Sequence, residues 1–137
     1  MKVMVLVKAS KETEAGVLPT QQELTDMMSF NEALVKSGVM LAGDGLQPSV
    51  KGARIHYQAS KRTVIDGPFT EAKELIAGYW IWEVKSLDEA IEWAKRIPFH
   101  EGEIEIRQMF SPDDFAPSDP TGEVRASAER LRNQSGT

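Results

Sequence analysis

The chain opens on Lys2-Val3-Met4-Val5-Leu6-Val7-Lys8, an apolar run bracketed by lysines whose length and valine content predict a strand. Residues 9–19 then make a polar loop of eleven residues. Connections in compact domains have a median of about 4–6 residues, so a loop of this length is expected to act as a lid or binding loop. Thr20-Gln21-Gln22-Glu23 has capping-box spacing, in which the Thr side chain accepts from the N3 amide and Glu23 reaches back to the cap. The helix that follows is expected to carry Leu24, Met27, Met28, Leu34 and Val35 on one stripe and to stop at Gly38. A short strand over residues 39–42 leads to a turn at Gly43-Asp44-Gly45. Residues 51–58 and 61–66 read as a hairpin around Ala59-Ser60, although neither is the Gly or Asn such turns favour. Asp66-Gly67-Pro68-Phe69 breaks the second strand, and residues 70–76 suggest a helical turn. Residues 78–84, with Tyr79, Trp80, Ile81 and Trp82 in succession, are the strongest strand. Ser86-Leu87-Asp88-Glu89 is a second capping box, opening a helix with Leu87, Ala90, Ile91, Ala94 and Ile97 as its apolar stripe and ending before Pro98. In residues 103–108, Ile104 and Ile106 alternate with charged residues, as in a strand with one buried face.

The resulting order, β-α-(β)-β-β-β-α-β, predicts an α+β fold: a ferredoxin-like sandwich with an extra strand or two, its antiparallel sheet carrying two helices on one face. In such a sandwich the uncovered face meets water and its strands should alternate. Two strands do not. Val3, Val5 and Val7 point one way while Met4 and Leu6 point the other, and Trp80 and Trp82 oppose Tyr79 and Ile81. An apolar second face is expected to be covered by a second copy packing sheet to sheet, since large exposed apolar patches are rare on soluble monomers. The alternative is that Trp80 and Trp82 lie under the long loop or the tail.

That tail begins after Phe110. Residues 111–137 contain three prolines, five acidic residues and few large apolar side chains, so the chain divides into a domain of residues 1–110 and a polar tail of residues 111–137 with one short helix over residues 121–132.

Composition narrows the function classes. The 137 residues carry 16 Lys+Arg against 21 Asp+Glu, a formal net charge of −5, which disfavours a nucleic-acid binder. The chain has no cysteine, hence no disulfide framework, zinc finger or thiol nucleophile. It shows neither a membrane-spanning run nor a signal-peptide pattern, so a cytoplasmic setting without membrane contact is expected. His56 and His100 are the only histidines and lack ligand spacing, so no metal site and no cofactor are expected. Phosphate-loop, nucleophile-elbow and zincin motifs are absent. Lys51, Arg54, Lys61 and Arg62 make the hairpin basic, which suits either a solvated edge or an anion-binding surface.

The segment Asp66-Gly67-Pro68-Phe69-Thr70-Glu71-Ala72-Lys73-Glu74 is the most distinctive. Gly67 precedes proline and is held extended. Asp66 can then cap the amides of the following turn, as Asp often does. Alternatively Asp66, Glu71 and Glu74 form a carboxylate cluster in which crowding raises one pKa and yields a general acid or base, with Lys73 favouring the ionised form. Both readings stand on the sequence.

The same nine residues resemble the signature of the YCII-related family, in its DGPF-domain branch. The likeness extends through residues 39–48, Gly78-Tyr79-Trp80, Ser86-Leu87-Asp88-Glu89-Ala90, Arg96-Ile97-Pro98 and Glu103-Ile104-Glu105-Ile106-Arg107, covering about residues 1–110. This resemblance implies a homodimer of the dimeric α+β barrel type, in agreement with the strand argument. It implies little about activity: most members lack an assigned reaction, and some occur beside extracytoplasmic-function sigma factors. Related members have a His on the first helix and an Asp shortly after it, proposed as an active dyad. The His position falls at Met27 here, and a thioether cannot act as a base, so the dyad is not carried over. Asp44 matches a position that is often acidic.

The resulting expectation is a homodimeric small-molecule-binding protein, an enzyme if carboxylate acid–base chemistry without a metal operates. Asp66 is its acid or base and Asp44 the second carboxylate. Gly67, Pro68, Phe69, Glu71 and Lys73 are binding groups, and Trp80 lines either the pocket or the core. The competing expectation is a non-catalytic interaction module, linked to a sigma factor, whose tail meets a protein partner.

Overall fold

A computed structural model describes residues 1–136. Its strands are β1 (Lys2–Lys8), β2 (Met40–Gly45), β3 (Ala53–Gln58), β4 (Lys61–Asp66), β5 (Ile76–Glu83) and β6 (Ile104–Gln108). Its helices are α1 (Lys11–Glu14), α2 (Gln21–Lys36), α3 (Leu87–Ala94) and α4 (Glu123–Ser135). The main sheet has the order β2-β5-β1-β6 with antiparallel neighbours throughout, and β3 and β4 form a separate two-stranded sheet. Without that hairpin the path β1-α2-β2-β5-α3-β6 is the ferredoxin-like arrangement, so the extra strands are an insertion between β2 and β5. The sheet is open, with β2 and β6 at its edges.

Register divides the two faces. Val3 lies opposite Trp82 and Val5 opposite Trp80, and these four side chains are buried on the helix side. Phe30 and Leu34 of α2, Ala90 of α3, Val39, Val84 and Ile97 complete the core. Phe30 is its wedge, with its ring centroid 5.9 Å from Trp80, 6.3 Å from Trp82 and 6.4 Å from Trp93. The Nε1 of Trp82 is buried with no hydrogen-bond partner among the described residues.

The helix ends follow the capping logic. Thr20 Oγ1 accepts from the Glu23 amide at 3.1 Å, and Glu23 Oε1 accepts from the Thr20 amide at 3.0 Å. The Thr20 amide first, and then the Thr20 hydroxyl, hold the Glu23 carboxyl below its ordinary value. At the other end Gly38 has φ +71° and the Val39 amide donates to the Leu34 carbonyl at 2.9 Å.

The α2 stripe differs from its expected composition. Phe30, Leu34 and half-buried Met27 face the sheet, whereas Leu24, Met28 and Val35 are exposed. Phe30 fixes the helix rotation, because its ring fills the space between three tryptophans and pulls positions 27, 30 and 34 inward. The loop of residues 9–19 contains the single-turn helix α1, capped by Ser10, whose side chain accepts from the Thr13 amide at 3.1 Å. Residues 72–74 form one 3-10 turn, after which β5 begins at Ile76.

The tail is folded. A 3-10 stretch (Pro112–Ser118) precedes α4, and the buried carboxylate of Asp119 caps that helix, accepting from the amides of Val124 at 3.2 Å and Arg125 at 2.9 Å and from Arg125 Nε at 3.1 Å. These bonds hold the Asp119 carboxyl below its ordinary value, the Arg125 amide contributing most. Phe110 and Phe115 pack ring to ring with centroids 4.8 Å apart.

Candidate functional site

Asp66 closes β4, and the chain then turns sharply under the base of the hairpin. The Gly67 amide donates to the Gly52 carbonyl at 3.1 Å, and the Gly67-Pro68 peptide is cis. A β-carbon at Gly67 would collide with the Ser49 carbonyl, so only glycine fits. The next amide, that of Phe69, donates to Ser49 Oγ at 3.0 Å. Ser49 in turn donates its amide and its hydroxyl to Glu14 Oε2, each at 2.9 Å. The Arg54 guanidinium lies over the Phe69 ring, 3.8 Å from its centroid. The Ala9 amide donates to the Leu75 carbonyl at 2.9 Å. The long loop, the 3-10 turn Ser49–Lys51 and the Asp66-Gly67-Pro68-Phe69 turn are therefore joined directly into one hydrogen-bonded unit.

In that unit the Phe69 amide is satisfied by Ser49, and no backbone amide donates to the Asp66 carboxylate among the described residues. Asp66, Pro68, Glu71 and Lys73 are exposed, and Phe69 is partly buried under Arg54. Among the described residues no hydrogen bond or ion pair joins Asp66 to Glu71, Lys73 or Asp44.

Asp44 lies elsewhere. It pairs with Tyr79 across β2 and β5 on the face of the main sheet away from the helices, and the Tyr79 hydroxyl donates to Asp44 Oδ2 at 3.3 Å. Met4, Leu6 and Ile81 share that face, all partly exposed. Toward β6 the face becomes ionic, with Glu105 between Lys8 at 3.4 Å and Arg107 at 3.3 Å. Those cations hold the Glu105 carboxyl below its ordinary value, Arg107 first. Trp80 points to the opposite side, buried beneath α2, where its Nε1 donates to Asn31 Oδ1 at 3.0 Å. The residues singled out from sequence thus occupy three places: the turn, the open face and the core.

Two concave regions lie apart from the turn and the open face. A cavity of about 210 Å³ is lined by Lys95, Ile97, Phe99, His100 and Ile104 among others, between the end of α3 and the start of β6. A second, of about 270 Å³, lies within the tail between Phe110, Phe115, Val124 and Arg132. Among the described residues no cluster of His, Asp and Glu is arranged to hold a metal ion, and no helix is long and apolar enough to cross a membrane.

Sequence reasoning passed over Tyr79 as the partner of Asp44, and Ser49, Glu14 and Arg54 as the frame of the turn. That Tyr79 opposes Trp80 and Trp82 was legible in the sequence, but its pairing with Asp44 required the β2–β5 register. The others lie far from the turn in sequence, so nothing in the sequence joins them to it.

The family model described as the YCII-related domain matches residues 1–112, spanning the whole main sheet, the hairpin and the turn. The chain belongs to that family. The YCII-related region thus ends where the tail's 3-10 stretch begins. An uncharacterized protein of Rhizobium meliloti (strain 1021) is 29% identical over 75 residues, 55% of this chain. The chain spans 60% of the length of that curated relative. Among solved structures, a 5-chloro-2-hydroxyhydroquinone dehydrochlorinase (TftG) from Burkholderia phenoliruptrix AC1100, in complex with 2,5-dihydroxybenzoquinone, is similar at 16% identity. That match covers 82% of this chain and 98% of the other, with a TM-score of 0.38.

Proposed function

We propose that this YCII-related protein is a cytoplasmic homodimer that binds a small molecule between the open sheet faces of its two copies, with Asp44 as its acid–base carboxylate. The observation that carries the reading is the pairing of Asp44 with the Tyr79 hydroxyl at the margin of the apolar patch formed by Met4, Leu6 and Ile81. A second copy stacked on that patch removes apolar area from water, which is worth about 25 cal/mol per Å². It also encloses a carboxylate with one oxygen held by a phenol and the other free for a ligand. Enclosure excludes water from that carboxylate and strengthens its interaction with a bound ligand. Asp66, exposed at the hairpin base, is the second carboxylate to test.

The experiment is a thermal-shift screen against a metabolite library with wild type, Asp44→Asn and Asp66→Asn, run beside sedimentation at micromolar concentration. A dimer, with a ligand that raises the wild-type Tm but not that of Asp44→Asn, is the expected result. Equal stabilisation of wild type and Asp44→Asn removes Asp44 from the site, and a monomer removes the enclosure.

One observation favours a second reading, a non-catalytic interaction module. The tail exposes Phe115, Val124 and Leu131 beside exposed Phe110, an apolar surface that its own fold leaves uncovered. Titration with a purified extracytoplasmic-function sigma factor tests it; binding by the full chain that is lost on removing residues 111–137 supports this reading, and no binding counts against it.

A further inference from the structure

Among the described residues nothing covers the β3–β4 hairpin. Every residue of both strands is exposed, and the two strands pack chiefly against each other. A lone two-stranded hairpin is marginally stable in water. This one nevertheless presents Ile55, Tyr57 and Val64, at 52%, 65% and 65% exposure, on a single face. Ile55 lies directly opposite Val64, and Tyr57 opposite Arg62, whose guanidinium sits over the Tyr57 ring at 4.7 Å. The base, in contrast, is firmly held by the Gly67–Gly52 bond, the Phe69–Ser49–Glu14 chain and the Arg54–Phe69 stack. A well-anchored base under an uncovered end describes an arm.

Its charge identifies what it reaches for. Residues 51–66 contain four of the basic residues (Lys51, Arg54, Lys61, Arg62) and one acidic residue, Asp66. The remainder of the chain has 12 basic and 20 acidic residues. A basic arm on an acidic body is complementary to a second copy of that body, and such complementarity speeds and orients association. The apolar face also requires an apolar counterpart, which phosphate backbones do not offer and the exposed apolar side chains of a second copy, such as Leu24, Met28 and Val35, do.

We infer that the β3–β4 hairpin is an exchange arm. In the homodimer each copy lays Ile55, Tyr57 and Val64 on its twin, and the Asp66-Gly67-Pro68-Phe69 turn serves as the anchor that aims the arm. This rests on the homodimer proposed above and adds to it a second contact, distinct from the stacked sheets.

The test compares dimer dissociation constants by sedimentation for wild type, Ile55→Asp/Val64→Asp, Lys61→Glu/Arg62→Glu and Leu6→Asp, with far-UV circular dichroism confirming that each variant is folded. Both hairpin variants are expected to weaken the dimer at least tenfold, and added salt to weaken wild type more than Lys61→Glu/Arg62→Glu. Unchanged dimerisation in both hairpin variants, with loss in Leu6→Asp, overturns the arm and leaves the sheet dimer standing. A monomeric wild type overturns both. Binding of a DNA duplex that depends on Lys61 and Arg62, with an unaltered dimer, also overturns the arm. Because the chain lacks cysteine, Val64→Cys provides a unique thiol that does not depend on disruptive substitutions. In a mixture of nitrogen-14 and nitrogen-15 copies, a cysteine-to-lysine crosslinker should yield mixed-isotope peptides from that thiol; only intrachain links would overturn the inference.

Discussion

Gly67 and Ser49 meet so closely that a β-carbon on the glycine would strike the serine's carbonyl oxygen and carbonyl carbon. The obstacle is backbone, which cannot swing aside like a flexible side chain. Gly67→Ala must therefore displace the Ser49–Lys51 turn or pull the 66–69 turn away from it. Overpacking of this kind typically costs about 1–3 kcal/mol. Urea unfolding should show that loss for Gly67→Ala. Gly38 makes a useful contrast: at φ +71° with open space around it, Gly38→Ala meets only backbone strain, about 1–2 kcal/mol. If Gly67→Ala is neutral, the turn is looser than its contacts imply.

Ser49 also links the loop to the turn through its side chain, with Oγ accepting from Phe69 and donating to Glu14. Ser49→Ala removes both bonds while the Ser49 amide keeps its own bond to Glu14. Each lost bond is worth about 0.5–1.5 kcal/mol net, and up to about 3 where a charged group is involved. The expected result is faster amide hydrogen exchange at Phe69 and greater mobility of residues 9–19, with the main sheet unchanged. Protection at Phe69 equal to wild type would show that the amide has another acceptor.

At the far end of the hairpin Ala59 has φ +52°, in the left-handed region where a side chain is strained. The two-residue turn retains its register, with Gln58 opposite Lys61, so the strain is sustained by the pairing of the strands. Ala59→Gly relieves it, partly offset by the greater freedom of glycine in the unfolded chain, and should stabilise the hairpin by about 0.5–1 kcal/mol. Amide exchange across β3 and β4 is the measurement, and slower exchange is the expected outcome.

The sequence showed the sheet far better than it showed the site. Val3, Val5, Trp80 and Trp82 fell on one face because a strand's period of two leaves no other choice once the register is set. The turn at residues 59–60 was legible even without glycine, since basic and apolar residues flank it on both sides. The rotation of α2 was not, because a stripe of leucine and methionine is ambiguous until a large ring such as Phe30 finds its neighbours. The frame of the Asp66-Gly67-Pro68-Phe69 turn was hidden for a different reason. Glu14 and Ser49 are far from it in sequence and meet it only after the hairpin insertion brings the chain back, and such long-range side-chain bonds leave no local pattern. Asp44 was found by its position, whereas its partner Tyr79 required the β2–β5 register.

Asp119 gives the tail a pH dependence whose sign follows from its bonds. Its carboxylate accepts from Val124 and Arg125 and is held below its ordinary value, so the ionised form is favoured by folding. A group lowered in the folded state contributes stability above its unfolded pKa, near 4 for Asp as an approximate reference, and that stability is lost as pH falls through the lowered folded value. The α4 amides of Val124 and Arg125 should therefore lose protection at acid pH while β1 and β5 keep theirs. Asp119→Asn should show the loosened α4 already at neutral pH, because a neutral amide is a weaker acceptor for the Arg125 guanidinium and its backbone N–H. Its α4 should then change little on acidification. If wild type and Asp119→Asn protect these amides equally at neutral pH, the helix is held by the Arg125–Asp113 contact and the Phe110–Phe115 packing instead.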